Sequence, residues 1–489
     1  MFRRFGVLIR VFSCALALAM PAHAEEDEDA DDLQQRLTER EDKRRPLEPF
    51  SVDVAGRPLT LGGEFGIELG YLRRRFLDED AVDEPNRFLM EPALELEAFY
   101  SFGEPLSMFL QVQGVWEEDL LGRTPDAVST AYVQLGEAWL YSENILGSHI
   151  NFDIGQLDFE DERRWWWDEE LDAVRLAYER ESFELALALA YELGSDRSDQ
   201  SLVDPEHENV LRLLGELGWD YQPNHALELF GVHQNDHSPN QRIGDEVKID
   251  NEDDSDGRLS WVGARAMGVF DLSVRGLLGY WLDTGLVWGE EQLVEFEEIP
   301  GQPNRSEVVD VSRQNVSGWG VDAGVTWILP FALEPRVFAG YAYGSGDSDP
   351  ESGTDHSFRQ TDLQANEAGF GSVERFGHYG ALLDPELSNL GIVTVGAGLS
   401  VLRSSSLDLV YHHYRMPEAA DSLRDIRLEG TLTGEDRDVG DEVDLVLALE
   451  EWERVELHFT AAAFRAGHAF EPEDRAWAFG GFVAMRFAF

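Results

Sequence analysis

The chain has 489 residues, with 96 acidic and 39 basic side chains and a formal net charge of −57 at pH 7. This charge excludes nucleic acid and anionic lipid headgroups as partners held by electrostatic attraction, and the single cysteine excludes a disulfide framework or a cysteine-based metal site. The acids are spread along the whole chain, which favours a protein adapted to high salt over one with a specifically acidic channel interior.

The first 24 residues predict a cleaved signal peptide that directs the chain out of the cytoplasm. Three arginines within the first ten residues precede an apolar run from 11 to 20, and Ala22-His23-Ala24 gives the small–x–small pattern of a cleavage site. The apolar run is too short to cross a bilayer as a helix. It continues past Cys14 instead of ending there, as a lipidation site would require, so we expect Cys14 to be removed with the signal.

Two further regions follow the signal. Residues 25–56 predict an acidic periplasmic segment, because they are charged, contain proline and offer too few apolar side chains for a core. From residue 57 to residue 489 the dominant pattern is an alternation of apolar and polar residues with a period of two. Its first segment places Leu59 and Leu61 on one face and Thr60 on the other. The sequence therefore predicts an all-β domain over 57–489.

The number and spacing of these alternating segments predict a membrane barrel. Short periplasmic turns that alternate with longer outer loops are typical of an up-and-down barrel in the outer membrane of a Gram-negative cell, and an even strand number places both termini in the periplasm. Eighteen segments lie at roughly 57–73, 88–102, 106–116, 129–141, 148–160, 171–180, 183–194, 208–221, 225–235, 257–269, 271–284, 316–328, 335–345, 388–402, 405–415, 439–450, 453–465 and 475–489. The long connections are 195–207, 236–256, 285–315, 346–387 and 416–438.

The C-terminus supports the same fold. Every second residue counted back from Phe489 to Trp477 is apolar or glycine, which resembles the signal read by the outer-membrane assembly machinery. The fold class is therefore predicted to be a transmembrane antiparallel β-barrel of about 18 strands, in contact with outer-membrane lipid. A barrel of this size is wide enough for an aqueous channel.

Three motifs resemble one family of outer-membrane porins. The first is Gly155-Gln156 followed by Glu160-Asp161-Glu162-Arg163-Arg164-Trp165-Trp166-Trp167-Asp168 and by the stretch 171–176. The second is Val373-Glu374-Arg375-Phe376-Gly377 with Glu386-Leu387-Ser388-Asn389-Leu390, and the third is Leu409-Val410-Tyr411-His412. Together, and in this order, they resemble the alginate export family, and the resemblance runs from about residue 60 to the terminal phenylalanine.

The resemblance implies a monomeric barrel that passes a polyuronate from the periplasm to the outside. Such transport needs no covalent step and no cofactor, so the chain is not expected to be an enzyme. Periplasmic export components are further partners that the resemblance implies. The alternative is a general or uptake porin for small polar solutes, such as oligosaccharides or organic acids.

The resemblance also implies a constriction made positive by arginines that project into the lumen, since guanidinium stays charged and pairs with carboxylate in a fork. Arg175 and Arg336 are expected to face the lumen by their parity, as is Arg275. Each arginine could instead brace the wall by pairing with an acid, and the tryptophans either stack on sugar rings or brace their loop. The candidate pore-lining residues are Arg163, Arg164, Trp165, Trp167, Arg175, Arg275, Arg336, Arg375 and His412.

Three positions depart from the family pattern. Asp384 stands where the family has an arginine before the Glu-Leu-Ser-Asn-Leu motif, and His458 and Thr460 stand where it has two inward arginines. These residues predict a less positive pore. The acidic stretch 250–257 has the oxygen ligands and turn glycine of a calcium loop, but a solvated acidic loop explains it better because the spacing and closing glutamate of an EF-hand are missing.

Overall fold

The computed structural model describes residues 50–73, 77, 86–103, 105–121, 129–200, 203, 207–236, 241–253, 255–302, 304–349, 353–373 and 375–489. The predicted signal lies wholly outside these residues, and the acidic stretch 250–257 lies partly outside them. Within them, eighteen strands form one antiparallel sheet. In chain order they are β1 Arg57–Arg73, β2 Arg87–Gly103, β3 Leu106–Asp119, β4 Ser129–Ser142, β5 Ile150–Glu160, β6 Asp168–Arg180, β7 Phe183–Tyr191, β8 Val210–Gln222, β9 His225–Asp236, β10 Ser255–Asp271, β11 Leu277–Glu298, β12 Arg305–Ile328, β13 Arg336–Gly344, β14 Gly391–Leu402, β15 Ser405–Arg415, β16 Asp438–Trp452, β17 Val455–Ala466 and β18 Trp477–Ala488.

The sheet closes on itself into a barrel. Each strand pairs with its neighbours in sequence, and β18 pairs with β1 in the register Glu64↔Ala488 to Arg73↔Phe479. Outward residues such as Leu96 and Leu187 are about half exposed, which gives the barrel the apolar outer band that lipid requires. The predicted fold class is confirmed. In the described part of the chain, no helix is long and apolar enough to cross a membrane.

The two ends of the barrel differ as predicted. At the end that we call the turn end, neighbouring strands are joined by connections as short as Glu181-Ser182 and Pro223-Asn224. At the opposite end, the loop end, the longest connection runs from 345 to 390 between β13 and β14. β1 begins and β18 ends at the turn end, which follows from the even strand number.

The predicted long loop at 285–315 is wrong. β11 continues to Glu298 and β12 starts at Arg305, and their pairing extends from Leu277↔Ile328 to Glu298↔Ser306 with one bulge. A transmembrane strand needs only about ten residues, so this hairpin projects far beyond the membrane. There lipid no longer requires apolar side chains on the outer face, so an acidic sequence forms a strand without the apolar–polar alternation of a lipid-facing strand. Val294 and Val308 are buried by packing within this outer region, while Glu297 is exposed.

The last residues of the predicted periplasmic segment also form a strand. Phe50–Val54 pairs with β1 in the register Phe50↔Leu61 to Val54↔Arg57. It lies beside the position where β18 ends, because Phe489 and Gly63 exchange two backbone hydrogen bonds of 2.9 and 3.1 Å. Residues 25–49 of the segment lie outside the described residues.

Two loops from the loop end turn into the lumen and pack against its wall. They are loop 161–167, between β5 and β6, and the central part of loop 345–390. Their aromatic rings are accommodated by glycines on the wall: a Cβ at Gly263 would lie 2.2 Å from the Trp166 ring, and one at Gly320 would lie 2.6 Å from the Phe358 ring. The wall residues facing these loops are therefore small because the loops occupy the space that side chains would fill.

The bend that carries loop 161–167 inward lies in β5. Gly155 has a φ of +136°, and a Cβ there would lie 2.0 Å from the carbonyl oxygen of Ala138. β4 pairs with β5 only over Ala138–Ser142 and Phe152–Gln156. Above this point the edge of β4 is covered by residues 196–198 of the β7–β8 connection, since Leu135 donates to the Asp196 carbonyl at 3.0 Å and Ser198 to the Val133 carbonyl at 2.9 Å.

Candidate substrate passage

The open part of the lumen is a cavity of about 1100 Å³. The strands β1–β6 and β16–β18 line much of it, and the inward-turned loops form a ledge opposite β1–β4. A second cavity of about 350 Å³ lies beside β5–β8. Both cavities are lined by Glu137, Asp158, Glu160, Glu162 and Arg375, so these residues lie at the boundary between them.

The two sides of the passage carry opposite charge. Lining acids from the strands include Glu64, Glu68, Glu91, Glu95, Glu97, Glu137, Glu169 and Glu170. The loops contribute the guanidinium groups of Arg163, Arg164, Arg375 and Arg427. Many acids of this chain therefore face the lumen, although their even spread in the sequence had favoured adaptation to high salt over a specifically acidic channel interior. A carboxylate passing here finds most of the positive groups on the loop side, and Arg486 on β18 adds one from the wall.

Arg375 and Arg164 share one acid at the rim of the ledge. The Arg375 guanidinium forms an ion pair with Glu160, the last residue of β5. Arg164 lies 3.2 Å from Glu160, 3.2 Å from Asp168 and 2.7 Å from Glu367. Burial alone would lower the pKa of Arg164, but the three acids raise it above its ordinary value, so the group stays charged. Both guanidinium groups keep partial access to the cavity, with 17% of each side chain exposed.

Arg175 lines the smaller cavity from β6. Its Nε donates to Asp153 at 3.0 Å, and its guanidinium carbon lies 5.6 Å from the centre of the Phe159 ring. The side chain is partly exposed. Its inward orientation agrees with its parity in the sequence, and its acid partner, Asp153, lies on the neighbouring strand β5.

Two of the predicted arginines are buried braces, although Arg163 still borders the larger cavity. Arg336, with 1% of its side chain exposed, pairs with Asp408. Arg163 lies 3.0 Å from Asp283 and 2.9 Å from Asp322, also in a buried setting. Their guanidinium groups are almost fully buried and are already satisfied by acids of the wall, which corrects the expectation that they form the constriction.

Four other predicted lining residues are placed differently from what the sequence suggested, although Trp167 borders the smaller cavity. Arg275 is exposed in the turn between β10 and β11, so its expected inward position on a strand is wrong. His412 is buried and its Nδ1 lies 2.9 Å from the Thr394 hydroxyl. Trp165 and Trp167 are buried as well, which rules out stacking on a sugar ring in this conformation and leaves the bracing role. The indole of Trp165 donates to the Tyr379 hydroxyl at 2.8 Å.

Buried polar groups hold loop 345–390 in place. Glu442, on β16, accepts hydrogen bonds from the backbone of Leu382 at 2.7 Å and Leu383 at 3.0 Å. The Tyr379 hydroxyl donates to Asp322 at 3.3 Å. Burial raises the pKa of Tyr379 well above its ordinary value, so it remains a donor. The neighbouring His378 is also buried, and burial together with Arg163 lowers its pKa well below the ordinary value, so the ring is neutral.

Sequence reasoning missed two arginines of this region. Arg265 is fully buried on β10 and lies 2.5 Å from Asp161 and 2.6 Å from Asp283, which ties loop 161–167 to the wall. The alternation of β10 places residue 265 on the inward face, and this signal could have identified Arg265. Arg427, in the β15–β16 connection, reaches the cavity and lies 2.5 Å from Asp384. No periodicity marks that loop, so no comparable signal was present for Arg427.

Comparison with known proteins identifies relatives. A sequence profile of the family described as alginate export matches residues 59–478. The alginate production protein AlgE of Pseudomonas aeruginosa is 25% identical over 332 residues, which are 67% of this chain and 65% of that protein. AlgE of Pseudomonas syringae pv. tomato is 21% identical over 336 residues, or 65% of each chain. The chain thus spans slightly less than two thirds of the length of these relatives.

Solved structures with the same fold are more distant in sequence. Pseudomonas aeruginosa OccD3 (OpdP) covers 91% of this chain and 95% of its own, with a TM-score of 0.52 and 10% identity. OccK11 (OpdR) of the same organism covers 88% and 95%, with a TM-score of 0.51 and 12% identity. The outer membrane protein opdK gives 0.51 and 11% identity over 88% and 98%. At such identities these similarities support the barrel fold alone.

Proposed function

This chain belongs to the alginate export family, and on that premise we propose that it is an outer-membrane channel that passes an acidic, alginate-like polysaccharide from the periplasm to the outside. The turn end faces the periplasm and the loop end faces outward. The polymer crosses through the cavity between the strand wall and the inward-turned loops. Its passage involves no covalent step, and the channel acts as a monomer because one chain closes the barrel.

The observation that carries this proposal is the position of Arg164 and Arg375. Both line the cavity at the rim of the loop ledge, and both are paired with the same carboxylate, Glu160. A uronate residue presents the same carboxylate group and can replace Glu160 at either guanidinium. Such charge-assisted pairs are strong when water is limited, and exchanging one carboxylate for another leaves the arginine satisfied, which lets the polymer bind and then move on.

A second candidate function rests on the opposite wall. The glutamates of β1, β2 and β4 give that side of the passage a negative lining, which repels a polyanion and suits a general or uptake porin for small polar solutes. The two candidates differ in how they treat a long acidic chain. An exporter admits it into the passage, whereas a small-solute porin excludes it.

Planar-bilayer recording of the purified protein distinguishes the two functions. For the exporter, short polyuronate chains added on the turn-end side should interrupt the ionic current, while dextran of the same length should not. The variants Arg164→Gln and Arg375→Gln should shorten the interruptions, and Arg305→Gln, on the outer hairpin beside Glu246, should leave them unchanged. Equal responses to polyuronate and dextran would favour the small-solute porin.

A further inference from the structure

Asp384 and Arg427 meet at the margin of the passage. Arg427 Nη2 lies 2.5 Å from Asp384 Oδ2, and its Nη1 donates to the backbone carbonyl of Ala381 at 3.0 Å. The guanidinium carbon lies 5.6 Å from the centre of the Phe482 ring on β18. All four residues line the cavity. Arg427 thus projects from an outer connection to a point where the inserted loop faces the barrel wall.

This contact bears on the departure that the sequence shows at position 384. The family-like motif would place an arginine there, and this chain has an acid instead. The structure places a guanidinium from another segment beside that acid. The backbone of Arg427 is tied to the same loop, since its amide donates to the Leu383 carbonyl at 3.0 Å. Arg427, which lies 43 positions further along the chain, therefore places a positive charge next to position 384.

We propose that Arg427 is a further selectivity residue of the passage, which binds the carboxylate groups of the polymer through its guanidinium and is held in place by Asp384 when no polymer is present. This inference rests on the proposed export function and deepens it. It assigns a carboxylate-binding position to the connection 416–437, outside the motifs that resemble the family.

Three features distinguish Arg427 from the bracing arginines. Its side chain is 43% exposed, against 1% for Arg336. Its carboxylate partner is 32% exposed, against 0% for the partner of Arg336, so a uronate carboxylate can approach and exchange with it. The Phe482 ring and the Ala381 carbonyl fix the plane of the guanidinium, which keeps its fork pointing in one direction. Lysine would keep the charge but lose the fork.

The same connection provides a matched control. Arg437 lies 2.6 Å from Glu418, and the exposed fractions of these two side chains, 44% and 33%, nearly equal those of Arg427 and Asp384. Among the described residues that line the two cavities, neither Arg437 nor Glu418 is present. Removing the charge of Arg437 therefore changes the loop in the same way without changing the passage.

The test measures how strongly oligouronate of fixed length blocks the current through wild type, Arg427→Gln, Arg427→Lys, Asp384→Asn and Arg437→Gln. We expect Arg427→Gln to raise the half-blocking concentration about tenfold, the usual effect of losing one charge-assisted pair, and Arg427→Lys to raise it less. Asp384→Asn should lower the half-blocking concentration, and Arg437→Gln should leave it at the wild-type value.

The outcomes separate this proposal from the proposed function. Block of Arg427→Gln at the wild-type concentration, or an equal loss in Arg437→Gln, would overturn the role of Arg427 and leave the export function standing. A conducting wild-type channel that no uronate blocks would overturn the export function itself. Arg427→Lys retains both the charge and the long side chain, so it tests the fork even if Arg427→Gln fails to assemble.

Discussion

Arg375 and Glu160 join the two inward-turned parts of the chain, since Arg375 lies on loop 345–390 and Glu160 ends β5. Their ion pair lies at the boundary of the two cavities, and both residues line each of them. This pair therefore divides the lumen. The first prediction follows from that position.

Arg375→Ala should raise the single-channel conductance, because removing the guanidinium joins the cavities of about 1100 and 350 Å³. Recording in symmetric salt measures the change, and Arg305→Ala, far out on the β11–β12 hairpin, is the control. Unaltered conductance in Arg375→Ala would show that the pair does not limit the open area. Retained conductance in Arg305→Ala excludes a general effect of lost charge.

A second prediction concerns the docking of the loops. Gly320→Val should displace Phe358, because a Cβ at residue 320 already lies 2.6 Å from that ring, and overpacking of this kind costs about 1–3 kcal/mol. We expect the barrel to assemble while loop 345–390 becomes more sensitive to protease added on the loop-end side. Gly66→Val is the matched control, since nothing lies within 4 Å of a Cβ there. Equal protection in both variants would contradict this docking.

The third prediction concerns pH. Burial raises the pKa of Asp384 to about 6, although Arg427 opposes the shift, and the further acids facing it are Glu367, Glu442 and Asp425. Above pH 6 the charged carboxylate occupies Arg427, and as the pH falls through 6 it becomes neutral and releases the guanidinium. Uronate block should therefore strengthen between pH 7.5 and 5, where the polymer remains ionised. Asp384→Asn should weaken this pH dependence, and a variant with the full wild-type dependence would disprove its origin in Asp384.

A fourth prediction separates the braces from the passage. Arg336 and Asp408 are a buried pair, so Arg336→Met leaves an unpaired carboxylate and should destabilise the barrel by about 3–5 kcal/mol. The double variant Arg336→Met with Asp408→Leu should recover much of this loss. Urea unfolding, followed by the gel mobility of the folded form, measures both. Uronate block should stay unchanged in the double variant, and a loss of block there would place Arg336 in the passage after all.

The fifth prediction concerns topology. Cysteines introduced at Glu297, in the outer hairpin, and at Asn224, in a turn-end connection, should differ on intact cells. An impermeant thiol reagent should label the first and not the second. The background is low because the natural chain has one cysteine, Cys14, within the predicted signal. Labelling of Asn224→Cys but not of Glu297→Cys would show that the turn end faces the outside of the cell.

The fold was largely predictable because successive residues of a spanning strand face lipid and the watery lumen in turn. That requirement imposes the period of two on every spanning strand, and β1 and β15 begin and end where the alternation does. The region 285–315 escaped prediction for the same reason, since the projecting part of the hairpin lies beyond the lipid and no lipid-facing alternation is imposed on it.

The site was less predictable because its chemistry depends on pairing across the barrel. Parity correctly oriented Arg336 toward the interior, but its brace Asp408 lies 72 residues away. Whether an arginine meets solute depends on such distant acids, and a single sequence does not reveal them. Arg427 is the opposite case: no sequence pattern marks it, yet it lines the passage. Its contact with Asp384 brings it there, and that contact exists only in the folded chain.

The edge of β4 offers one set of hydrogen-bonding groups above Ala138, and residues 196–198 already use it at Val133 and Leu135. The upper half of β5 can return to that edge only if those residues leave it. β5 and residues 196–198 therefore compete for the same edge of β4. A wider passage requires β5 to replace residues 196–198 in the barrel wall.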